Sequence, residues 1–509
     1  MKAKNYFKGK RITVMGLGLL GRAIGDTEFL AKNGADLIVT DLKSKKELKI
    51  SLDRLKKYKN IKYTLGKHRL QDFRNRDMIL KTAGVSLNSP YIKEAKKNKI
   101  PIEMSASLFV KISQLRSLRI QVIGVTGTRG KSTVTQMIYE ILKVVAGEKQ
   151  RKQKKAFCCN KSDKGLSFAG HRIFLGGNIK GVSTLSLLSQ VRKDDTVVME
   201  LDSWQLQGFG DSKISPNIAI FTTFLLDHLN YYKGDMNKYL ADKSNIYRWQ
   251  KENDLIIVGQ KAAKFIKEKN KNSAKGRFVI ANQKNIPHNW KIKLLGTHNL
   301  QNISLAIETA RILDIKEAII KKVAESFNGL PGRLEFIREV SGVKYYNDTT
   351  ATTPDATIAA LNSFKNKKGK IILIGGGADK NLEYGEYAKI VKKYVKDLIL
   401  FKGYASDKII SAIGKVKFLV KVFDNMKSAI KFTTANAQKG DIILLSPGAA
   451  SFGVFKNEFD RGEQFNKIVK NLKKQKQYTL KEIIKGITPK NKHKVIFDGQ
   501  DVGKEKTIW

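Results

Sequence analysis

The sequence predicts an α/β protein of three domains, each built on a mainly parallel sheet: a Rossmann-like N-terminal domain, a central P-loop ATPase-type domain and a Rossmann-like C-terminal domain. Three observations predict it. Gly16, Gly18 and Gly21 form G-x-G-x-x-G between a strand-like run and a helical one. The stretch "GVTGTRGKST" (124–133) stands in the same strand-to-helix setting, with the glycines, lysine and hydroxyls of a phosphate cradle. Later, "KIILIGGG", "DLILFKG" and "DIILLSPG" alternate with helical patterns, and repeated βα units require a parallel sheet. A chain of 509 residues is also too long for one core.

In chain order, "RITVMGLGLLGRAIGDTEFLAKNGADLIVTD" reads strand–turn–helix–strand, with Asp41 twenty residues after Gly21 at the end of the second strand. Glycines let a backbone approach a diphosphate, the helix N-terminus attracts it, and the acid can reach a ribose; a tight turn in some other α/β domain is the alternative. Strand-like runs at 78–80 and 100–102 close a first domain, 1–115. A second, 116–330, opens with the phosphate cradle. Its polar stretch between Val144 and Gly170, "AGEKQRKQKKAFCCNKSDKG", predicts a solvated loop. Strands are expected at "DTVVMEL" and "NIAIFTTF", helices around 239–247 and 302–313, and a linker at "NGLPGRLEF". The third domain spans 331–472, and 473–509 form a basic tail to which no role is assigned.

Composition narrows the function classes. No run approaches the 18–20 apolar residues of a membrane span, and the apolar segment in "MKAKNYFKGKRITVMGLG" is too short for a signal peptide. The adjacent Cys158 and Cys159 make neither a disulfide framework nor a four-ligand zinc site, so a reduced cytoplasmic enzyme is expected. The net charge of +50 comes from lysine spread along the whole length, without a cluster or a nucleic-acid module. It reads as a solvated surface, and no nucleic-acid partner is expected.

The candidate chemistry lies in the middle of the chain. Lys131 can bridge terminal phosphates, backbone N–H groups of 127–131 can cradle them, and the Ser132 hydroxyl can ligate magnesium. One departure stands out: G-x-x-x-x-G-K-[ST] asks for glycine at 125, where this chain has Val125. Glu200 ends a strand where a magnesium carboxylate is needed, or else simply faces a loop. Asp227 and His228 end another strand at the same sheet edge. Lys243 falls on one helical face with Tyr239, Leu240, Ile246 and Tyr247. It either snorkels to solvent or is desolvated, and then a lowered pKa supplies a neutral amine that can react with CO2. The resulting carbamate would be anionic and able to hold a metal.

From "GVTGTRGKST" onward, "GGNIKG", "MELDSWQL", "FLLDHLNYY", "YLADKSNIY", "GTHNLQN", "LPGRLEF", "YYNDTTATTPDAT", "GGGADK" and "LLSPGAASFGVFKNEFDRGEQF" follow in order. Together they resemble the Mur ligase family, over about residues 11–472, and that family's own phosphate loop spaces its glycines in this way. The resemblance implies ATP-dependent amide synthesis: the terminal carboxylate of UDP-N-acetylmuramoyl-L-alanine becomes an acyl phosphate, which the amine of D-glutamate attacks. A member adding L-alanine or another amino acid is the alternative; a Rossmann oxidoreductase would leave the phosphate loop idle.

The resemblance also implies roles. Gly127, Thr128, Arg129, Gly130, Lys131, Ser132 and Thr133 hold the ATP phosphates; Asn299 lies on the adenine side, Arg333 contacts phosphate and Asp348 binds ribose. Lys131, Glu200, His228 and Lys243 are the implied catalytic set. Two magnesium ions are implied, one served by Ser132 and Glu200, the other by His228 and carbamylated Lys243. Gly18, Leu19, Leu20, Asp41 and Gly84 match the uridine-diphosphate site, Asn178 a residue near the muramoyl group, and Thr352, Lys380 and Ser451 the positions holding the D-glutamate carboxylates. Two positions depart from the pattern: Thr350 stands where the family has lysine, and Glu458 where it has an apolar contact. A cytoplasmic monomer is expected.

Overall fold

The computed structural model describes residues 6–18, 21–155, 172–227, 229–270, 275–367 and 370–472. The chain forms two compact units, one of 1–335 with 359–365, the other of 336–358 with the chain from 366 onward.

The first unit holds two sheets. In one, β1 (Arg11–Met15), β2 (Asp36–Asp41), β3 (Ile61–Leu65), β4 (Met78–Lys81) and β5 (Ile102–Glu103) run parallel in the order β3-β2-β1-β4-β5. Ile12, Val14, Leu37 and Val39 bury one face and Met15 and Ile79 the other, as expected of a parallel sheet covered on both sides. The strand order reverses between β1 and β4, so a crevice opens beyond their carboxyl ends. Gly16 lies there at φ 89°, and a Cβ on it would meet Thr82 Oγ1 at 2.5 Å, so only glycine fits this turn.

The other sheet contains β6 (Gln121–Thr126), β7 (Ile173–Gly177), β8 (Thr196–Glu200), β9 (Ile218–Phe221), β10 (Leu255–Gly259) and β11 (Arg277–Ala281), parallel in the order β11-β10-β9-β6-β8-β7. Helices Lys131–Lys155 and Thr297–Ile312 cover one face through Val134, Ile138, Ile141, Ile303 and Ile307. Val197, Met199 and Phe221 on the opposite face share a core with Ile24, Leu30 and Phe109 of the first layer. The helix from Lys131 runs through Lys155, where a loop was expected from 144 on. Apart from Gly147, the residues from Ala146 to Lys155 are Ala, Glu, Lys, Gln and Arg, all strong helix formers that outweigh the missing apolar stripe. The rest of that stretch with Cys158 and Cys159, and the tail 473–509, lie outside the described residues. No helix among the described residues is long and apolar enough to cross a membrane.

The second unit is built on β12 (Glu335–Val340), β13 (Val343–Asn347), β14 (Ile371–Gly376), β15 (Val395–Phe401), β16 (Val420–Phe423) and β17 (Ile442–Leu445), in the order β12-β13-β17-β14-β15-β16. The pairs from β13 to β16 are parallel, over a core that includes Tyr345, Ile374, Phe401, Leu445 and Phe465. The loops after β14 and β17 meet in a bridge between Ala378 and Ala450.

Candidate active site

The phosphate loop begins where β6 ends. Val125 is fully buried and pairs with Glu200 and Ile220 in the neighbouring strands, so position 125 belongs to the sheet and the loop turns only after Thr126. Glycine is required at two later positions. Gly127 sits at φ 138° with Thr222 Oγ1 2.0 Å from where a Cβ would be, and Gly130 at φ 87° with Asn302 Oδ1 at 2.1 Å. The loop is tied to the end of β9: the Thr128 N–H donates to the Thr223 carbonyl at 2.7 Å and the Arg129 N–H to Thr223 Oγ1 at 2.9 Å. These two N–H groups therefore face Thr223, which narrows the cradle expected from 127–131. What remains is the start of helix Lys131–Lys155, where first-turn N–H groups have no intrahelical acceptor and favour an anion.

Two lysines converge on one carbonyl. Lys131 Nζ donates to Gly127 O at 3.0 Å and to Thr128 O at 3.1 Å; Lys243 Nζ donates to the same Gly127 O at 2.9 Å. Lys243 comes from helix Met236–Ser244, which Asp235 caps by accepting the Asn237 and Lys238 N–H groups. It is 1% exposed and its ammonium lies 4.9 Å from the centroid of the Tyr239 ring, so it is inside the fold and does not snorkel. Burial first, and then the charge of Lys131, push the Lys243 pKa well below the ordinary lysine value. Burial also lowers that of Lys131, with Glu200 and Asp202 pulling the other way.

Other predicted residues gather around this loop. Arg333 donates to Ser132 Oγ at 3.1 Å. Asn299 donates to the Leu295 carbonyl at 2.8 Å and accepts from Asn302, the side chain packed on Gly130. Thr133 is buried in the first helical turn. Glu200 ends β8 beside Val125, its main-chain carbonyl accepting the Asn178 N–H at 2.7 Å. The Asn178 amide reaches toward Glu200 Oε1 at 3.5 Å and accepts from Arg22. Among the described residues no group of three or more His, Cys, Asp or Glu side chains is poised for a metal. Magnesium does not require such a group: it keeps waters and needs only one or two protein oxygens beside phosphate, and the Ser132 hydroxyl and Glu200 carboxylate are donors of the type that would hold it. His228, Leu19 and Leu20 lie outside the described residues.

The crevice beyond β1 and β4 holds a cavity of about 220 Å³ whose lining includes Gly18, Gly84, Arg22, Lys81 and Asp26. Asp41 is placed differently from a free ribose ligand: Oδ2 accepts the N–H groups of Leu17 and Gly18 at 2.8 and 3.0 Å, and Oδ1 that of Lys43 at 2.8 Å. Its carboxylate braces the glycine loop. Arg22, Asp26 and Lys81 went unmarked in the sequence, although a lysine closing the apolar strand "DMILK" and an acid inside a buried helix were the available signals. Burial raises the Asp26 pKa to about 6, against hydrogen bonds from Ser183, Ser105 and the Leu185 N–H. It lowers that of Lys81 to about 8, against the charges of Asp202, Asp211 and Asp242.

In the second unit, Lys380 Nζ donates to Thr352 Oγ1 at 3.2 Å, and the Ala378–Ala450 bridge brings the loop of Ser451 alongside that of Lys380. Asp348 accepts from Ser446 Oγ at 2.8 Å. The sequence reading passed over Arg461, whose side chain is 0% exposed. It donates to Thr349 Oγ1 at 3.2 Å, Thr349 O at 2.9 Å and Ala449 O at 3.4 Å, clipping the Asp348–Thr352 loop to the one before Ser451. Glu458 opens helix Glu458–Lys470, where a negative charge suits the dipole and its own carbonyl accepts from Thr349 Oγ1.

Comparison with known proteins agrees along the chain. Residues 10–103 match the Mur ligase MurD-like N-terminal domain, 125–310 the Mur ligase middle domain and 332–449 the Mur ligase glutamate ligase domain. The chain is 35% identical over 483 residues to the UDP-N-acetylmuramoylalanine--D-glutamate ligase of Borreliella afzelii, covering 91% of this chain and 98% of that protein. It is 33% identical over 501 residues to the protein of the same name from a Roseiflexus species, covering 91% and 99%. Among solved structures, the UDP-N-acetylmuramate-alanine ligase MurC of Thermotoga maritima aligns with a TM-score of 0.55 at 20% identity, covering 91% of this chain and all (100%) of that one. The MurF ligase of Thermotoga maritima in complex with ADP aligns at 0.56 and 16%, covering 96% and 100%. At such identities the structures speak for the fold.

Proposed function

The chain belongs to the Mur ligase family, and from that premise we propose that it joins D-glutamate to UDP-N-acetylmuramoyl-L-alanine, in peptidoglycan precursor synthesis, at the expense of ATP. The observation that carries this reading is the meeting of Lys131 and Lys243 on the Gly127 carbonyl, beside Ser132 and Glu200. A carboxylate is a poor electrophile because its leaving group would be oxide; as an acyl phosphate it expels a stabilised anion. Phosphoryl transfer between anions then requires concentrated positive charge. Lys131 and Arg333 supply it from the protein, and the N-terminal turn of helix Lys131–Lys155 supplies oriented N–H groups. Magnesium bound through Ser132 and Glu200, with a second ion through His228 and a Lys243 carbamate, would neutralise phosphate charge. Neutral Lys243 amine is the form that adds CO2, and burial together with Lys131 favours it. In the second unit, Thr352, Lys380 and Ser451 would hold the amino acid by its carboxylates, with Arg461 setting the loops that carry Thr352 and Ser451.

The phosphate loop speaks against the oxidoreductase alternative, which would leave Lys131 and Lys243 without a role. The deciding experiment measures ATP-dependent phosphate release with UDP-N-acetylmuramoyl-L-alanine against a panel of D- and L-amino acids. Turnover is expected with D-glutamate; turnover with L-alanine on the unsubstituted muramoyl substrate, or tight NAD binding without ligation, would replace this reading.

A further inference from the structure

We propose that Lys81 is a substrate-binding residue whose ammonium receives a diphosphate oxygen of the UDP-sugar. The proposal rests on the uridine-diphosphate reading of the crevice beyond β1 and β4. Lys81 is the last residue of β4, 3% exposed, and lines the cavity between Gly18 and Gly84. Its Nζ makes one hydrogen bond, to the Val85 carbonyl at 3.0 Å, and no ion pair among the described residues. An ammonium has three donors, and burying it without an anionic partner is costly.

The acids Asp202, Asp211 and Asp242 act on Lys81 only as distant charges, and none forms an ion pair with it. Asp202 caps helix Ser203–Asp211, accepting the Gln205 N–H, and Asp242 accepts from Gln207 and Tyr232. Within the cavity the charged lining is Arg22, Lys81 and Asp26, and Asp26 is occupied by Ser183 Oγ and the Leu185 N–H. Arg22 is turned onto Asn178. The cavity is therefore cationic, with Lys81 its one buried cation not bonded to another side chain. A glycine loop and the start of helix Arg22–Lys32 stand at the same end, the setting in which a diphosphate is held. An anionic oxygen arriving there completes the hydrogen bonding of Lys81 and offsets its burial.

The test is calorimetric titration of the full chain, wild type and Lys81→Met, with UDP and with UDP-N-acetylmuramoyl-L-alanine, alongside the kinetics of both variants. Loss of a charge-assisted hydrogen bond weakens binding by about 10- to 100-fold. That loss should appear with both ligands and as a raised KM for the UDP-substrate, with kcat and the KM for ATP little changed, and Lys81→Arg should recover part of it. Equal binding of UDP by wild type and a folded Lys81→Met overturns the role of Lys81. A loss confined to the full substrate overturns it too, moving the contact to the peptide carboxylate. If Lys81→Met does not fold, Lys81→Arg carries the test: UDP binding unchanged by the displaced charge counts against the contact, and weakened UDP binding with ATP affinity intact supports it. Wild type that binds no uridine nucleotide fails differently, refuting the uridine-diphosphate reading itself.

Discussion

Replacing Lys243 by alanine tests whether a lysine here does the work of a carboxylate. Its Nζ and that of Lys131 lie 2.9 and 3.0 Å from the same oxygen. Two unit charges about 5 Å apart at an effective dielectric of about 20 repel by about 3 kcal/mol. That repulsion disfavours two ammonium ions at this carbonyl, and carbamylation turns it into an attraction of similar size. Removing the side chain should lower kcat by about 10²–10³-fold, the range typical of losing one preorganised electrostatic group, with the fold intact. Formate or acetate should restore part of the activity by bringing a carboxylate into the vacated space, and Lys243→Arg should not be rescued, because guanidinium neither carbamylates nor loses its charge. The pH dependence has a definite sign. The lowered pKa leaves the reactive neutral amine present above it, so CO2 dependence should sharpen as the pH falls. Phosphate release in CO2-depleted buffer, with and without added bicarbonate, reads all of this. Full activity of Lys243→Ala in depleted buffer would refute the reasoning.

Two further outcomes follow from buried charges elsewhere. Asp26, with its pKa raised from 3.8 to about 6 by burial, contributes stability that is complete below the unfolded value and lost as the pH rises through the folded one. Urea unfolding should therefore show Asp26→Asn gaining about 2 kcal/mol on wild type between pH 4 and pH 7; parallel pH profiles would contradict the shift. Arg461→Met strands the Thr349 and Ala449 carbonyls and should cost about 2–4 kcal/mol, while a folded Arg461→Lys should raise the KM for D-glutamate more than it lowers kcat. An unchanged KM would remove Arg461 from the positioning of that site.

How much of this was legible depends on whether a signal is local. The glycines could be read because each answers a local demand, a positive φ or a backbone approach within a few residues, and so could apolar strands such as "KIILIGGG" bounded by turns. Strands β12 and β16 were harder. β12 reads Glu-Phe-Ile-Arg-Glu-Val and β16 Val-Lys-Val-Phe, short and half polar at the edges of their sheet, where one neighbour suffices and composition is weakly constrained. The helix beyond Val144 was hidden because a basic, polar run looks like a solvated loop, while its lysines and glutamines carry helix propensity without an apolar stripe.

Buried charges escape sequence reading for a deeper reason. Lys81 and Arg461 share a covalent description with the many exposed lysines and arginines of a chain with net charge +50, and only the partner that burial brings near sets them apart; Lys243 stood out by its apolar helical face, but its partner did not. For Lys243 that partner is 116 positions away, the carbonyl of Gly127. The glycine itself explains why the pair can form. At φ 138°, with Thr222 Oγ1 2.0 Å from any Cβ, the peptide there takes a course barred to other residues, and the carbonyl that results faces both lysines. The same residue thus permits the turn of the phosphate loop and sets two ammonium groups against each other. That opposition favours the neutral form of Lys243, the form the proposed carbamate would need, so the loop's shape and the lowered pKa of Lys243 have a common cause.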